Sequence, residues 1–311
     1  MYGREYRNGR RRMAPFLAIS CITLLYGAKG YARPDMEPLG PNIADRGSAF
    51  YHFRVENFDS ADGKRHYKVW TGVPDKTPPA SGYPVLYMLD GNAVMDKLDD
   101  AFLQQLFAGS PPVIVAIGYQ TALPFDTAAR AWDYPPPLKT HEPRAGKPAL
   151  PPRKTGGNDV FRQLLTETMV PQTEANLKID PHQRAIWGHS YGGLFVLDAW
   201  RKASPFGIYY SSSPSLGQAL QSPLQASQSL DAVRFRGKSL YLLEGDGKAR
   251  GEPSGHEASL EVLRQTQQQL ASKGLTVAFW RYPGLTHGQM FEVSLRSALL
   301  HLSGQAALAH Q

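Results

Sequence analysis

The sequence predicts a single α/β domain built on a central, mostly parallel sheet with helices on both faces. Short apolar runs that read as strands alternate with longer amphipathic stretches that read as helices. Residues 83–89 and 112–117 are continuously apolar, as expected of parallel strands covered on both faces. The run 184–188 leads into a glycine-rich turn and then a helical stretch, a strand–turn–helix unit.

Each element follows in order. Residues 33–48 are rich in proline and glycine and read as an extended lead-in. Segments 51–58 and 66–73 alternate enough to predict a hairpin turning near Ala61-Asp62-Gly63. The strand 83–89 ends at Asp90-Gly91-Asn92; a helix is expected over 99–106 and a strand over 112–117. Residues 120–156 carry Pro124, Pro135 to Pro137, Pro143, Pro148, Pro151 and Pro152, and read as a long, mostly irregular insertion. Helical periodicity returns over 159–176. Then come a strand 184–188, a helix 192–201, strands 207–212 and 239–244, a helix 259–270, a strand 275–282 and a helix 290–302.

The chain has 311 residues, a hydrophobic fraction of 42% and a net charge of +7 from 34 basic and 27 acidic residues. Residues 1–32 read as a secretory leader, with a basic start (Arg4 to Arg12), an apolar run from Ala14 to Leu25 and a small-x-small site at Gly30-Tyr31-Ala32. The apolar run is too short to span a bilayer, and Ala18-Ile19-Ser20 before Cys21 is a poor lipidation signal, so no membrane anchor is expected. The expected mature domain is 33–311. Five arginines and Lys29 against Glu5 leave with the leader, so 28 basic and 26 acidic residues remain, a net of +2. A global nucleic-acid footprint is therefore not expected. Cys21 is the only cysteine. Its loss would exclude disulfides, a thiol nucleophile and cysteine-ligated metal, and fits an oxidising compartment, with the periplasm favoured over full secretion.

Gly188-His189-Ser190-Tyr191-Gly192 fits G-x-S-x-G, the elbow that holds a nucleophilic serine on a tight strand-to-helix turn. The apolar run before it and the helical stretch after it supply the required context, which predicts an α/β-hydrolase fold with Ser190 as nucleophile. That fold orders nucleophile, acid, then histidine. His287, in Gly284-Leu285-Thr286-His287-Gly288 after the last strand, is the expected base. The acid is expected after the strand residues 239–243, where Asp246 is preferred and Glu244 is the alternative; Glu252 and Glu257 lie in the loop beyond, and a Ser190–His287 dyad stays open. Backbone N–H groups of Tyr191 and of Gly91 or Asn92 are the expected oxyanion donors. No metal or cofactor is required by this chemistry.

Four segments together resemble the esterase family that contains esterase D-like enzymes and the siderophore esterases: Tyr87-Met88-Leu89-Asp90-Gly91-Asn92, Gly188 to Gly193, Ser213-Pro214-Ser215 and His287-Gly288. The resemblance covers roughly residues 45–303. Residues 83–96, 112–121, and Arg130 with Asp133-Tyr134 are similar to the periplasmic trilactone-esterase branch. The resemblance implies hydrolysis of the lactone backbone of enterobactin, a catecholate siderophore whose ferric complex carries three negative charges. It implies substrate-binding roles for Arg130 and Tyr134, and iron entering only with the substrate. An outer-membrane siderophore receptor is a further partner to look for. Between Arg130 and Lys154 six basic residues face Asp133 and Glu142, a local excess of +4 that would draw in an anion. Trp132, Tyr134, Trp187 and Trp280 are available either for stacking on catechols or for the core. The rival readings are a sugar-ester or feruloyl-type esterase on the same fold, and a siderophore-binding protein without turnover.

Overall fold

A computed structural model describes Met1 and residues 36–136, 156–202, 204–215, 232–248 and 256–311. Apart from Met1, the expected leader 1–32 lies outside the described residues, as do Glu252 and the basic positions Lys139, Arg144, Lys147, Arg153 and Lys154. Eight strands form one sheet: β1 (Tyr51–Asp59), β2 (His66–Pro74), β3 (Tyr83–Leu89), β4 (Val113–Tyr119), β5 (Ile179–His189), β6 (Ile208–Ser212), β7 (Ser239–Gly245) and β8 (Thr276–Tyr282). The order is β1-β2-β4-β3-β5-β6-β7-β8. The pairs β1–β2 and β2–β4 are antiparallel, and β4 through β8 pair in parallel. The helices are α1 (Ile43–Arg46), α2 (Gly91–Asp96), α3 (Asp100–Phe107), α4 (Thr127–Asp133), α5 (Asn158–Leu164), α6 (Val170–Glu174), α7 (Tyr191–Arg201), α8 (His256–Ser272) and α9 (Met290–Leu302).

The continuous apolar strands serve two cores at once. Side chains alternate across a strand, so Val85, Tyr87 and Leu89 join the face covered by α5, α7 and α8. Leu86 and Met88 join the face covered by α2, α3 and α9. Val113, Val115 and Ile117 divide from Ile114 and Ala116 in the same way. This is the α/β-hydrolase architecture predicted from the elbow, with helices on both faces.

Local departures have physical causes. The helix expected over 159–176 is interrupted by a π-turn at Leu165–Met169, just before Pro171. A proline lacks the N–H and crowds the preceding turn, and the wider turn accommodates both defects. Strand β5 begins five residues earlier than expected, with a register shift against β3 between Tyr83 and Val85 that absorbs Pro181. Part of the stretch expected to be irregular is helical: α4 is capped by Asp126, whose side chain accepts from the N–H groups of Ala128 and Ala129. Glu257, expected in a loop, belongs to α8. Among the described residues no helix is long and apolar enough to cross a membrane.

Candidate active site

Ser190 stands between β5 and α7 at φ 60° and ψ −114°, a backbone conformation L-residues rarely adopt. The turn closes because its neighbours have no side chains: a Cβ on Gly188 would lie 2.4 Å from Gly192 O, and one on Gly193 would lie 2.6 Å from Ser212 O. The Ser190 N–H donates to Ser212 O at 3.0 Å, tying the elbow to β6. Its hydroxyl lies 2.8 Å from Ser215 Oγ.

Tyr191 is the first residue of α7, where helix N–H groups have no intrahelical partner and the dipole favours negative charge. Across the gap, Asp90 turns the chain at φ 57° and Gly91 opens α2. A Cβ on Gly91 would meet Ile117 C and Gly118 N at 2.6 Å, so α2 starts directly on the end of β4. The Asn92 side chain is committed to that contact. Its amide donates to Tyr119 O (3.0 Å) and Thr121 O (2.9 Å), and its Oδ1 accepts from Tyr119 N–H at 2.8 Å. Gly91 and Asn92 can therefore offer a substrate only their backbone.

The loop of His287 docks on the end of β7. The Gly247 N–H donates to Leu285 O at 2.9 Å, and a Cβ on Gly245 would lie 2.1 Å from Leu285 O. His189, the variable position of the elbow, reaches back: its Nε2 is 2.8 Å from His287 O, and the two rings are 4.6 Å apart. A carbonyl only accepts, so Nε2 carries the proton. Burial, followed by the neighbouring His287, holds His189 well below the usual histidine range, so it is neutral and works as a strut.

Neither expected carboxylate is idle. Asp246 accepts from Arg281 Nε at 2.7 Å and from the Gly284 N–H, which belongs to the His287 loop. The Gly284 bond, followed by that of Arg281, lowers its carboxyl from the ordinary value. Glu244 is buried, with 2% exposure, and accepts from Ser213 Oγ at 2.7 Å.

Arg130 grips Asp90 with two parallel bonds, Nε to Oδ1 and Nη2 to Oδ2, both 2.9 Å. Its guanidinium lies over the Phe125, Tyr134 and Tyr191 rings at 5.4, 5.7 and 5.4 Å. Tyr134 corrects an expectation. It is fully buried against Phe161 and Phe195, and its hydroxyl accepts from the Asp90 N–H at 3.2 Å. Tyr134 therefore braces the turn before Gly91 and cannot touch a substrate in this arrangement. Trp187 and Trp280 likewise belong to the core. His189 and Ser215 were not expected from the sequence as neighbours of the candidate nucleophile and base. The only local signal was their place inside the segments that carried the family resemblance.

A strained serine on a β–α elbow, with a histidine loop docked beside it at the carboxyl ends of parallel strands, defines an α/β-hydrolase esterase. The model of the family called Putative esterase matches residues 60–302, and the chain belongs to that family. It is a serine hydrolase of carboxylic ester bonds. The chain is 50% identical to the apo-salmochelin esterase of Escherichia coli O6:H1 (strain CFT073), over 99% of this chain and 96% of that protein. It is 34% identical to the ferri-bacillibactin esterase BesA of Bacillus subtilis (strain 168), over 80% of this chain and 90% of that protein. The solved structure of the enterobactin hydrolase IroE in complex with DFP superposes with a TM-score of 0.76 at 49% identity, covering 85% of this chain and all of the other.

Proposed function

We propose that this chain is a periplasmic serine esterase that opens the lactone backbone of enterobactin-type catecholate siderophores and so loosens their hold on iron. The observation that carries the reading is the Ser190 elbow within a chain half identical, end to end, to an apo-salmochelin esterase. In the proposed mechanism His287 takes the Ser190 proton as Oγ attacks a lactone carbonyl. The carbonyl electrons move to oxygen, where the N–H groups of Tyr191 and of Gly91 or Asn92 hold the charge, each worth about 3 kcal/mol in comparable sites. The tetrahedral adduct collapses, the C–O bond to the substrate serine breaks, and His287 protonates that oxygen. Water then repeats the sequence on the acyl-enzyme.

The bonds of Asp246 to Arg281 and Gly284 favour a role in holding the His287 loop rather than the imidazole. Ser190 and His287 are proposed as the nucleophile and its base. Arg130 is proposed to shape the turn at Asp90 first and to present residual positive charge to the anionic substrate second. No protein cofactor is proposed; iron is cargo of the substrate.

Chromatography of ferric and iron-free enterobactin after incubation with the wild type and with Ser190→Ala tests the reading. Linear trimer or smaller dihydroxybenzoyl-serine products are expected with the wild type alone. Intact siderophore alongside rapid cleavage of a feruloyl or simple aryl ester would keep the chemistry and remove the substrate.

A further inference from the structure

The loop after β6 delivers a second hydroxyl to the nucleophile, and it is built to do so. Among the described residues three non-glycines have positive φ: Asp90, Ser190 and Ser213. The first two shape the proposed oxyanion turn and the elbow. Ser213, at φ 39°, is held by two bonds: its N–H donates to Leu243 O at 2.8 Å, and its Oγ donates to buried Glu244 Oε1 at 2.7 Å. Pro214 follows, packed so closely on α7 that its Cα lies 3.2 Å from where a Cβ on Gly193 would be. The Ser215 N–H then donates to Ser190 O at 3.2 Å, and Ser215 Oγ comes within 2.8 Å of Ser190 Oγ.

We infer that Ser215 is a further catalytic residue, donating its hydroxyl hydrogen to Ser190 Oγ, and that Glu244 is a positioning residue acting through Ser213. This rests on Ser190 being the nucleophile. A hydroxyl has one donor and two lone pairs. With Ser215 donating, the Ser190 proton stays available to His287. As that proton leaves, negative charge builds on Ser190 Oγ before the bond to the carbonyl carbon is complete, and the Ser215 hydrogen bond strengthens. In the acyl-enzyme Ser190 Oγ is an ester oxygen that can only accept. Ser215 donates to it again when the C–Oγ bond breaks during deacylation, and the proton on His287 passes to Oγ. Glu244 accordingly serves the nucleophile from the far side of the strained loop.

The test uses the full chain and two readouts: the rate of inactivation by diisopropyl fluorophosphate, and kcat and KM on an aryl ester. Ser215→Ala is expected to slow inactivation and lower kcat by about 10–100-fold, the range for a hydrogen bond to a charged group, with KM within about twofold. Ser215→Thr, which keeps the hydroxyl, is expected to recover most of the loss. Glu244→Ala is expected to resemble Ser215→Ala and to add little to it in the double variant, while Glu244→Gln, which keeps an acceptor for Ser213, is expected to recover part of that loss. Ser215→Ala reacting as fast as wild type, or faster, with Ser190→Ala inert, overturns the inference alone. Fluorophosphate labelling of Ser190→Ala at the wild-type rate removes the nucleophile, and this inference with it.

Discussion

Asp90 has a side chain only 1% exposed and would be an isolated buried charge without Arg130, which is itself 15% exposed. Breaking such a pair from one side leaves the other charge uncompensated, so Arg130→Ala is expected to cost about 3–5 kcal/mol of stability. Urea unfolding measures it. Arg130→Lys keeps the charge but loses the two-pronged geometry, and should fall between. Unchanged stability with weakened siderophore binding would instead make Arg130 chiefly a substrate ligand. Ser190 was legible in the sequence because a nucleophile elbow is local: five consecutive residues contain every requirement. The Arg130–Asp90 pair spans forty positions, and no spacing rule links such residues. Tyr134 was misread for the same reason, since a motif position does not say which way a ring points.

At the scale of elements, the proposed oxyanion turn depends on α2 starting flush against β4. Gly91 and Gly118 meet there without side chains: a Cβ on Gly118 would lie 2.1 Å from Asn92 Oδ1. Gly91→Ala would push α2 off the strand end and displace the donors. Its expected effect is a fall in kcat of about 10²–10³, the size of losing one oxyanion donor, with KM little changed. Steady-state kinetics on an aryl ester decides it, and wild-type kcat would place the donors elsewhere. Strands were the most legible elements because burial on both faces writes itself as an unbroken apolar run. Helix α4 was obscured by the prolines around it, although Asp126 followed by Thr127-Ala128-Ala129 is an acceptable helix start. Strand β5 starts earlier than its apolar run, because Pro181 is accommodated only through the register shift against β3, which no local pattern encodes.

For the whole molecule, a buried polar network links pH to stability. Asp133 accepts from Tyr67 and Tyr119 hydroxyls at 2.9 and 3.0 Å and lies 3.0 Å from Arg65 Nε, yet it is only 1% exposed. Burial outweighs these partners and raises its carboxyl from 3.8 to about 6. Between those values the folded chain binds more protons than the unfolded one, so this group makes stability fall as pH rises from about 4 to 6. Asp133→Asn is expected to remove that slope, as denaturant unfolding at stepped pH would show; an unchanged slope would assign it to other groups. The sheet's far edge is closed separately. Arg281 exchanges two backbone hydrogen bonds with Gln311, and His310 stacks on Trp280 at 4.5 Å, so the terminal residues cover part of β8.

By itself the sequence determined the layered α/β class, the elbow at Ser190 and the loop that carries the expected base, because each is encoded within a few adjacent residues whose periodicity or backbone demands are visible one after another. Tertiary structure alone decided what surrounds them. It placed Ser215 against the Ser190 hydroxyl, paired Glu244 with Ser213 and Asp246 with Arg281, set His189 against the His287 backbone and buried Tyr134 behind Asp90. These are contacts between residues 25 to 98 positions apart, or choices among several carboxylates of equal local merit. Only the folding of the sheet, which brings the ends of β3, β5, β6 and β7 together, gives them partners.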